Sequence, residues 1–123
     1  MAIRFDKVLG VHGHALALRA ERTKILAANL ANENTPGYQA RDIDFAASLQ
    51  RALEAEAGEP GLMANGSRPE LLYRVPNHPS QDGNTVELGV EQALFSQNAL
   101  EFHMSLTFIN MKLRGLARAI EGQ

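Results

Sequence analysis

The sequence predicts a mainly α protein. Two long helices, one toward each end, pair as a coiled-coil-like hairpin, with a short helix and a loop or small β segment between them. Three observations carry that expectation. Leu88, Phe95, Ala99, Phe102, Leu106, Ile109, Leu113, Leu116 and Ile120 succeed one another at spacings of three, four or seven, with only Gln92 interrupting. Leu9, Gly13, Leu16, Ala20, Thr23, Ala27 and Leu30 alternate at four and three near the other end. The intervening chain is punctuated by Pro, Gly and Asn, which stop helices and open turns. With 123 residues, one domain accommodates all of this. Its helical core spans 6–33 and 86–120, and 34–85 is the connecting segment.

Asp6 is positioned as an N-cap for a first helix starting at Lys7. The seam of that helix alternates large and small residues, which lets a partner bearing Phe and Leu approach closely. Leu9, Leu16 and Leu30 are therefore expected to pair within the subunit against Phe95, Phe102, Leu106, Ile109, Leu113 and Leu116. Patterning leaves the direction and register of that pairing open. On the opposite side lie Val11, Leu18 and Ile25, spaced by seven and continuing into Asn29 and Asn32. His12 and His14, two apart, point about 200° from each other on a helix and cannot hold one ion. With His78 and His103 they read as surface or seam histidines.

The first helix runs out in LAANLANENTPGYQARDIDF. Asn32 and Asn34 compete for backbone hydrogen bonds, Pro36 biases Thr35 away from the α region, and Gly37 permits a positive φ. Asp44 can cap a short helix with Ala46, Leu49, Leu53 and Ala57 on one side and Gly58 as its stop. Glu54, Glu56 and Glu59 crowd the wrong end for its dipole and make it marginal. The run EPGLMANGSRP from Glu59 to Pro69 reads as a mobile loop, and Leu71 to Val75 as a short strand or extended arm. Asn77 to Asn84 is turn chemistry, and Asn84 with Glu87 three residues on resembles a cap for the last helix.

That last helix is apolar on two faces. Val86, Val90, Ala93, Leu100, Met104, Phe108 and Met111 gather roughly opposite the first seam. A helix of this kind is ordinarily central to a globule. Here too little apolar sequence remains to wrap a helix of about 50 Å at 1.5 Å per residue. The second face is therefore expected to pack between subunits, through Leu100, Met104, Phe108 and Met111, with Val11, Leu18 and Ile25 of the first helix.

Composition narrows the function classes. A net charge of −2 lacks the basic excess of a nucleic-acid binder, so no nucleic-acid partner is expected. The absence of cysteine excludes disulfides and thiolate metal sites. No apolar run is long enough to span a bilayer, and the first residues lack a signal peptide's apolar core. Ser80, His78 and Asp82 are neighbours in a Pro-rich turn rather than a triad, and nothing nearby would separate the pKa values of Asp42 and Asp44. The residues offer no catalytic constellation, metal site or cofactor site, and no small-molecule substrate is expected.

The wording of the first helix's end is specific. Asn29-x-x-Asn32-x-x-Thr35-Pro36-Gly37-Tyr38 resembles the N-terminal signature of the bacterial flagellar axial proteins, the family of rod, hook and hook-associated subunits. The resemblance also covers the heptad-bearing C-terminal helix. Short length, the run from Thr35 to Phe45 and the segment from Pro76 to Gln92 are most similar to the short proteins of the proximal rod; Gln39 stands where a basic residue is frequent. The resemblance implies a structural subunit of the basal-body rod, assembling with its own copies and other rod proteins into a torque-transmitting shaft across the periplasm. It further implies export by the flagellar type III apparatus without a cleavable signal peptide, and neighbours among export-gate and membrane-ring components. Terminal helices with two wet apolar faces would then be disordered in the monomer and fold on assembly. The competing reading is a small cytoplasmic helical adaptor or chaperone, dimeric through the second seam.

Overall fold

The computed structural model describes residues 5–57 and 69–122. The elements are α1 (Phe5–Ala31), β1 (Arg41–Ile43), α2 (Phe45–Ala57), β2 (Leu71–Tyr73) and α3 (Leu88–Ile120). The expected mainly helical hairpin is present, with α1 packed along α3 and a two-stranded sheet between them in sequence.

The contacts settle the direction that patterning leaves open. Asn29 of α1 meets Glu91 of α3, Thr23 meets Asn98, Arg19 meets Glu101, and His12 meets Phe108. One index falls as the other rises, so the pair is antiparallel and in a single register.

The centre of this pairing differs from the expected apolar seam. On α3 the fully buried residues are Glu91 and Asn98, seven apart and both polar. Phe95, Phe102, Ile109 and Leu116 flank that line and are half-buried, while Leu106 and Leu113 are exposed on its outer margin. The seam has turned by roughly one position toward the polar strip. The cause is local satisfaction: Asn98 Nδ2 donates to the Arg19 carbonyl at 3.0 Å and to Thr23 Oγ1 at 2.8 Å. Pairing both N–H groups offsets much of the cost of burying the amide, although its Oδ1 is buried without a partner.

Several local expectations are corrected. Helix α1 already includes Phe5, so Asp6 lies inside it and is not its cap. On α2 Leu49 and Leu53 are half-buried as expected, while Ala46 is exposed and Ser48 is buried in its place. Gly58 and residues 59–68 lie outside the described residues. Leu71–Tyr73 does form a strand, antiparallel to β1 with Arg41 opposite Tyr73, Asp42 opposite Leu72 and Ile43 opposite Leu71. Asp44 caps α2 as the sequence indicates: its Oδ1 accepts the Ala47 N–H at 3.1 Å, and its carbonyl accepts the Ser48 N–H at 2.9 Å. Replacing Asp44 by Ala should lower stability by about 1 kcal/mol, and Asp44→Asn should retain most of it, read by urea denaturation. Equal losses in the two variants would show that the cap bond contributes nothing.

Candidate functional site

Where α1 ends, α3 begins and β1 passes, four charged side chains and one amide meet. Asn29 is completely buried on the last turn of α1 and serves three segments. Its Oδ1 accepts the Arg41 N–H at 3.1 Å and the Tyr38 hydroxyl at 3.2 Å. Its Nδ2 donates to the Arg41 carbonyl at 2.7 Å and to Glu91 Oε2 at 3.0 Å. One side chain thus imitates a strand partner for residue 41 and ties it to α3.

Glu91 is also fully buried, and its second oxygen accepts from Arg74, just beyond β2. Arg74 reaches on to Asp42 Oδ2 at 2.7 Å. Arg22 of α1 grips the same carboxylate in a bidentate fork, with Nε to Oδ1 at 2.9 Å and Nη2 to Oδ2 at 3.0 Å. That hydrogen bond raises the Arg22 pKa above its ordinary value, so its charge is permanent. Two guanidinium and two carboxylate groups balance, and each is hydrogen-bonded. This is the condition under which buried charge is tolerated.

A second cluster closes the other side of the turn. The Asn84 side chain is buried and aims Nδ2 at the carbonyls of Asn32, Glu33 and Thr35, at 2.9, 2.8 and 2.8 Å. These belong to the end of α1 and the turn after it, where carbonyls lack intrahelical partners. Asn84 therefore caps the C-terminal end of α1 rather than the start of α3, which corrects the sequence expectation. Glu87 precedes α3 without a side-chain cap bond, and its carboxylate instead accepts the backbone N–H groups of Asn77 and His78. Gly37 N–H donates to the Asp82 carbonyl at 2.9 Å, Thr85 N–H to the Tyr38 carbonyl at 3.0 Å, and Ala40 N–H to Thr85 Oγ1 at 2.7 Å. Gly37 and Gly83 have φ of +73° and +77°, a region other residues enter only with strain.

The motif residues thus occupy one place. Asn29, Asn32, Thr35 and Tyr38 bond within or across this junction, and Pro36 and Gly37 form its exposed turn. The residues expected to pair the helices are more dispersed. Leu9, Leu16, Leu30, Phe95, Phe102, Ile109 and Leu116 are half-buried, and Leu106 and Leu113 exposed. Of the residues expected on outer faces, Val11, Leu100, Met104, Phe108 and Met111 are exposed and Ile25 is half-buried. Leu18 is buried within the chain, so it belongs to the interior and not to an outer ridge. Sequence reasoning misses Arg22, Asp42, Arg74, Asn84, Glu91 and Asn98 as members of the site. The seven-residue spacing of Glu91 and Asn98 is the available signal, and the stronger hydrophobic pattern beside it hides it.

Replacing Arg74 by Met leaves Glu91 buried without its cation and should cost about 3–5 kcal/mol in urea unfolding. The double variant Arg74→Met, Glu91→Met should recover a large part of that loss; additive losses would show that the two do not act as a pair. The exposed turn has its own pH signature. The Ser80 hydroxyl, and then the Asn84 N–H, hold the Asp82 carboxyl below the usual carboxylate range. That contribution is present above the unfolded carboxylate value and is lost as pH falls through the lowered folded value. Ser80→Ala should therefore lower stability at neutral pH, with the difference from the parent narrowing below about pH 4.

A family model described as Flagella basal body rod protein matches residues 9–39, which hold most of α1 and the turn through Tyr38. Relatives described as Flagellar basal body rod protein FlgB align along essentially their whole length. That of Cereibacter sphaeroides is 46% identical over 125 residues, covering 97% of this chain and 98% of the relative. That of Salmonella typhimurium is 41% identical over 136 residues, with 99% of each chain covered. That of Escherichia coli K12 is 36% identical over 135 residues, with 98% of each covered. End-to-end likeness at these identities, carried through both halves of the junction, shows that the chain belongs to the FlgB family of flagellar basal body rod proteins.

Proposed function

We propose that this chain is a structural subunit of the flagellar basal body rod, and that it joins its neighbours through the outer face of α3. Its family supports assembly with other rod components and does not favour a free cytoplasmic adaptor. The observation that carries the choice of surface is where the apolar side chains are left. Leu100, Met104 and Met111 are 63%, 63% and 64% exposed, and Phe108 is 44% exposed. Spacings of three, four and seven put them on one side of α3, around an open apolar cleft of about 300 Å³ lined by His103, Met104, Thr107, Phe108 and Met111. Flexible methionine side chains adapt to the surface that covers them. An apolar face of this kind marks an interaction surface.

The mechanism is mechanical. Subunits placed helically form a heterologous, non-closing assembly in which each outer face finds the next copy or a different rod protein. The rigid antiparallel pair inside each subunit then resists shear as the shaft turns. In this reading the shaft crosses the periplasm, the chain leaves the cell interior through the flagellar type III apparatus, and the export gate and membrane ring adjoin it at the base. Val11 and Ile25 of α1 extend the packing surface; the exposed Val11 is the stronger candidate of the two.

The test separates face from fold. Met104→Glu with Met111→Glu should leave the circular dichroism and urea midpoint of the monomer unchanged. The same variant should fail to restore motility, and be missing from isolated basal bodies, in a strain lacking the native subunit. Leu18→Ala should instead lower monomer stability by about 2–5 kcal/mol, as a core truncation does. Normal incorporation of the doubly charged variant would rule out this face.

A further inference from the structure

The small sheet has one covered edge and one open edge. Arg41 lies opposite Tyr73 and Asp42 opposite Leu72 across the ladder. One step further, the Arg74 N–H donates to the Ala40 carbonyl at 2.9 Å, so the backbone groups of Leu72 and Arg74 point toward β1. By the alternation of an antiparallel pair, the N–H and C=O groups of Leu71, Tyr73 and Val75 point the other way. The same alternation turns residues 41 and 43 outward on the far side of β1, where partners meet them. Asn29 takes the N–H and the carbonyl of Arg41, and Asp42 Oδ1 accepts the Ile43 N–H at 2.8 Å. On the β2 side, no described group outside the ladder bonds to the backbone of Leu71, Tyr73 or Val75.

The side chains along that edge are left in water as well. Leu71, Leu72, Tyr73 and Val75 are all exposed, Val75 to 86%. Edge strands are commonly blunted by a free charge, above all a Lys. Here the charges of the run are already occupied, Glu70 with Arg51 and Arg74 with Glu91 and Asp42. Pro69 and Pro76 bracket the run and keep it short. The exposed Arg41 guanidinium reaches over the Tyr73 ring, 5.7 Å from its centre, and has no carboxylate partner among the described residues.

We propose that this edge is a second docking surface, and that an extended segment of a neighbouring rod subunit adds to it as a third strand. Main-chain bonds to Leu71, Tyr73 and Val75 supply the attachment, the mode in which sheet edges take extended peptides. The incoming strand is apolar beside Leu71 and Val75 and carries a carboxylate to meet Arg41. The inference rests on the rod reading for the identity of the neighbour. Two arguments choose this occupant. The free groups are a row of extended backbone donors and acceptors, which another extended backbone pairs in series; a helix uses its own internally. A two-fold pairing of β2 with β2 of a second copy would close on itself, whereas the rod reading requires a non-closing contact. An edge this short binds weakly by itself, so it acts together with the outer face of α3.

The test uses the full chain in a strain lacking the native subunit. Val75→Pro deletes one outward N–H without touching the ladder, because an edge position whose N–H faces solvent accepts proline. It should lower the amount of subunit in isolated basal bodies about tenfold, while Val75→Ala, which keeps the N–H, should lower it far less. Arg41→Glu should share the loss and Arg41→Lys escape it. Normal incorporation of Val75→Pro would overturn the proposal. So would equal losses in the two Val75 variants with unchanged urea midpoints, since the contact would then be with side chains. Normal incorporation of Arg41→Glu would overturn the acidic chemistry assigned to the partner. Hydrogen exchange of the parent needs no variant: a peptide covering 70–75 should exchange at least about tenfold more slowly in basal bodies than in the monomer. Unchanged exchange there would overturn the proposal even where Val75→Pro fails to fold. A discrete dimer of the free chain, protected over that peptide, would put a second copy on the edge and overturn the choice of occupant. Absence of the parent itself from basal bodies would instead sink the rod reading, and the choice of neighbour with it.

Discussion

The structure depends on a buried amide. Asn29 replaces a strand partner for residue 41, orients Tyr38, and donates to the one carboxylate of α3 that is wholly out of water. Remove its side chain and four groups lose a partner: the Arg41 N–H and carbonyl, the Tyr38 hydroxyl and the buried Glu91 carboxylate, the last at a cost of about 1–3 kcal/mol or more. Around it, Glu91 needs Arg74, Arg74 bridges to Asp42, and Asp42 is also held by Arg22. No member of this chain of contacts can move alone, because a half-satisfied charged network is worse than an apolar core. The turn after α1, the strand pair and the entry to α3 are thereby fixed relative to one another by polar geometry.

That explains which features are legible in the sequence. The two helices are legible because heptad spacing reports helical period directly, and the turn at Thr35-Pro36-Gly37 because Pro and Gly restrict and free φ in known ways. Asp44 reads correctly since a cap acts over three residues. Asn84 does not, because an Asn ahead of a helix serves equally as that helix's cap or as a donor to carbonyls brought close in space. Only the fold puts the end of α1 within 3 Å of it. The position of the α3 seam misleads for a related reason. Hydrophobicity ranks Phe95 and Phe102 above Asn98, but the fold supplies acceptors for the Asn98 amide nitrogen, Thr23 Oγ1 and the Arg19 carbonyl, although its Oδ1 is buried without a partner. Leu18 reads as outward because its seven-residue spacing with Val11 and Ile25 implies one ridge. In the fold Val11 is exposed, Leu18 buried and Ile25 half-buried, so a shared spacing of seven does not give the three a shared environment.

The match of the family model to residues 9–39 falls on the same region, and its last residues have a physical role there. Gly37 holds a positive φ and gives its N–H to Asp82, while Tyr38 sends its hydroxyl to Asn29 and its carbonyl accepts from Thr85. The run Asp82 to Thr85 is the other half of the same clasp, although it lies far along the sequence. Two segments that look like separate turns are one structure.

Polar and apolar contacts divide the labour between them. The hydrophobic effect is non-directional, so two apolar helix faces can slide or rotate with little change in burial. Polar partners are directional, and a misregistered pair would strand buried donors and acceptors. By placing Glu91 and Asn98 at the centre of the helix pair, the chain fixes its internal register with polar residues, flanked by half-buried Phe95 and Phe102. Other large apolar side chains remain on the outside, where Met104, Phe108 and Met111 line an adaptable cleft. A subunit built the other way, with Leu and Phe inside and polar residues outside, would be more stable alone. It would have no apolar surface with which to hold a neighbour.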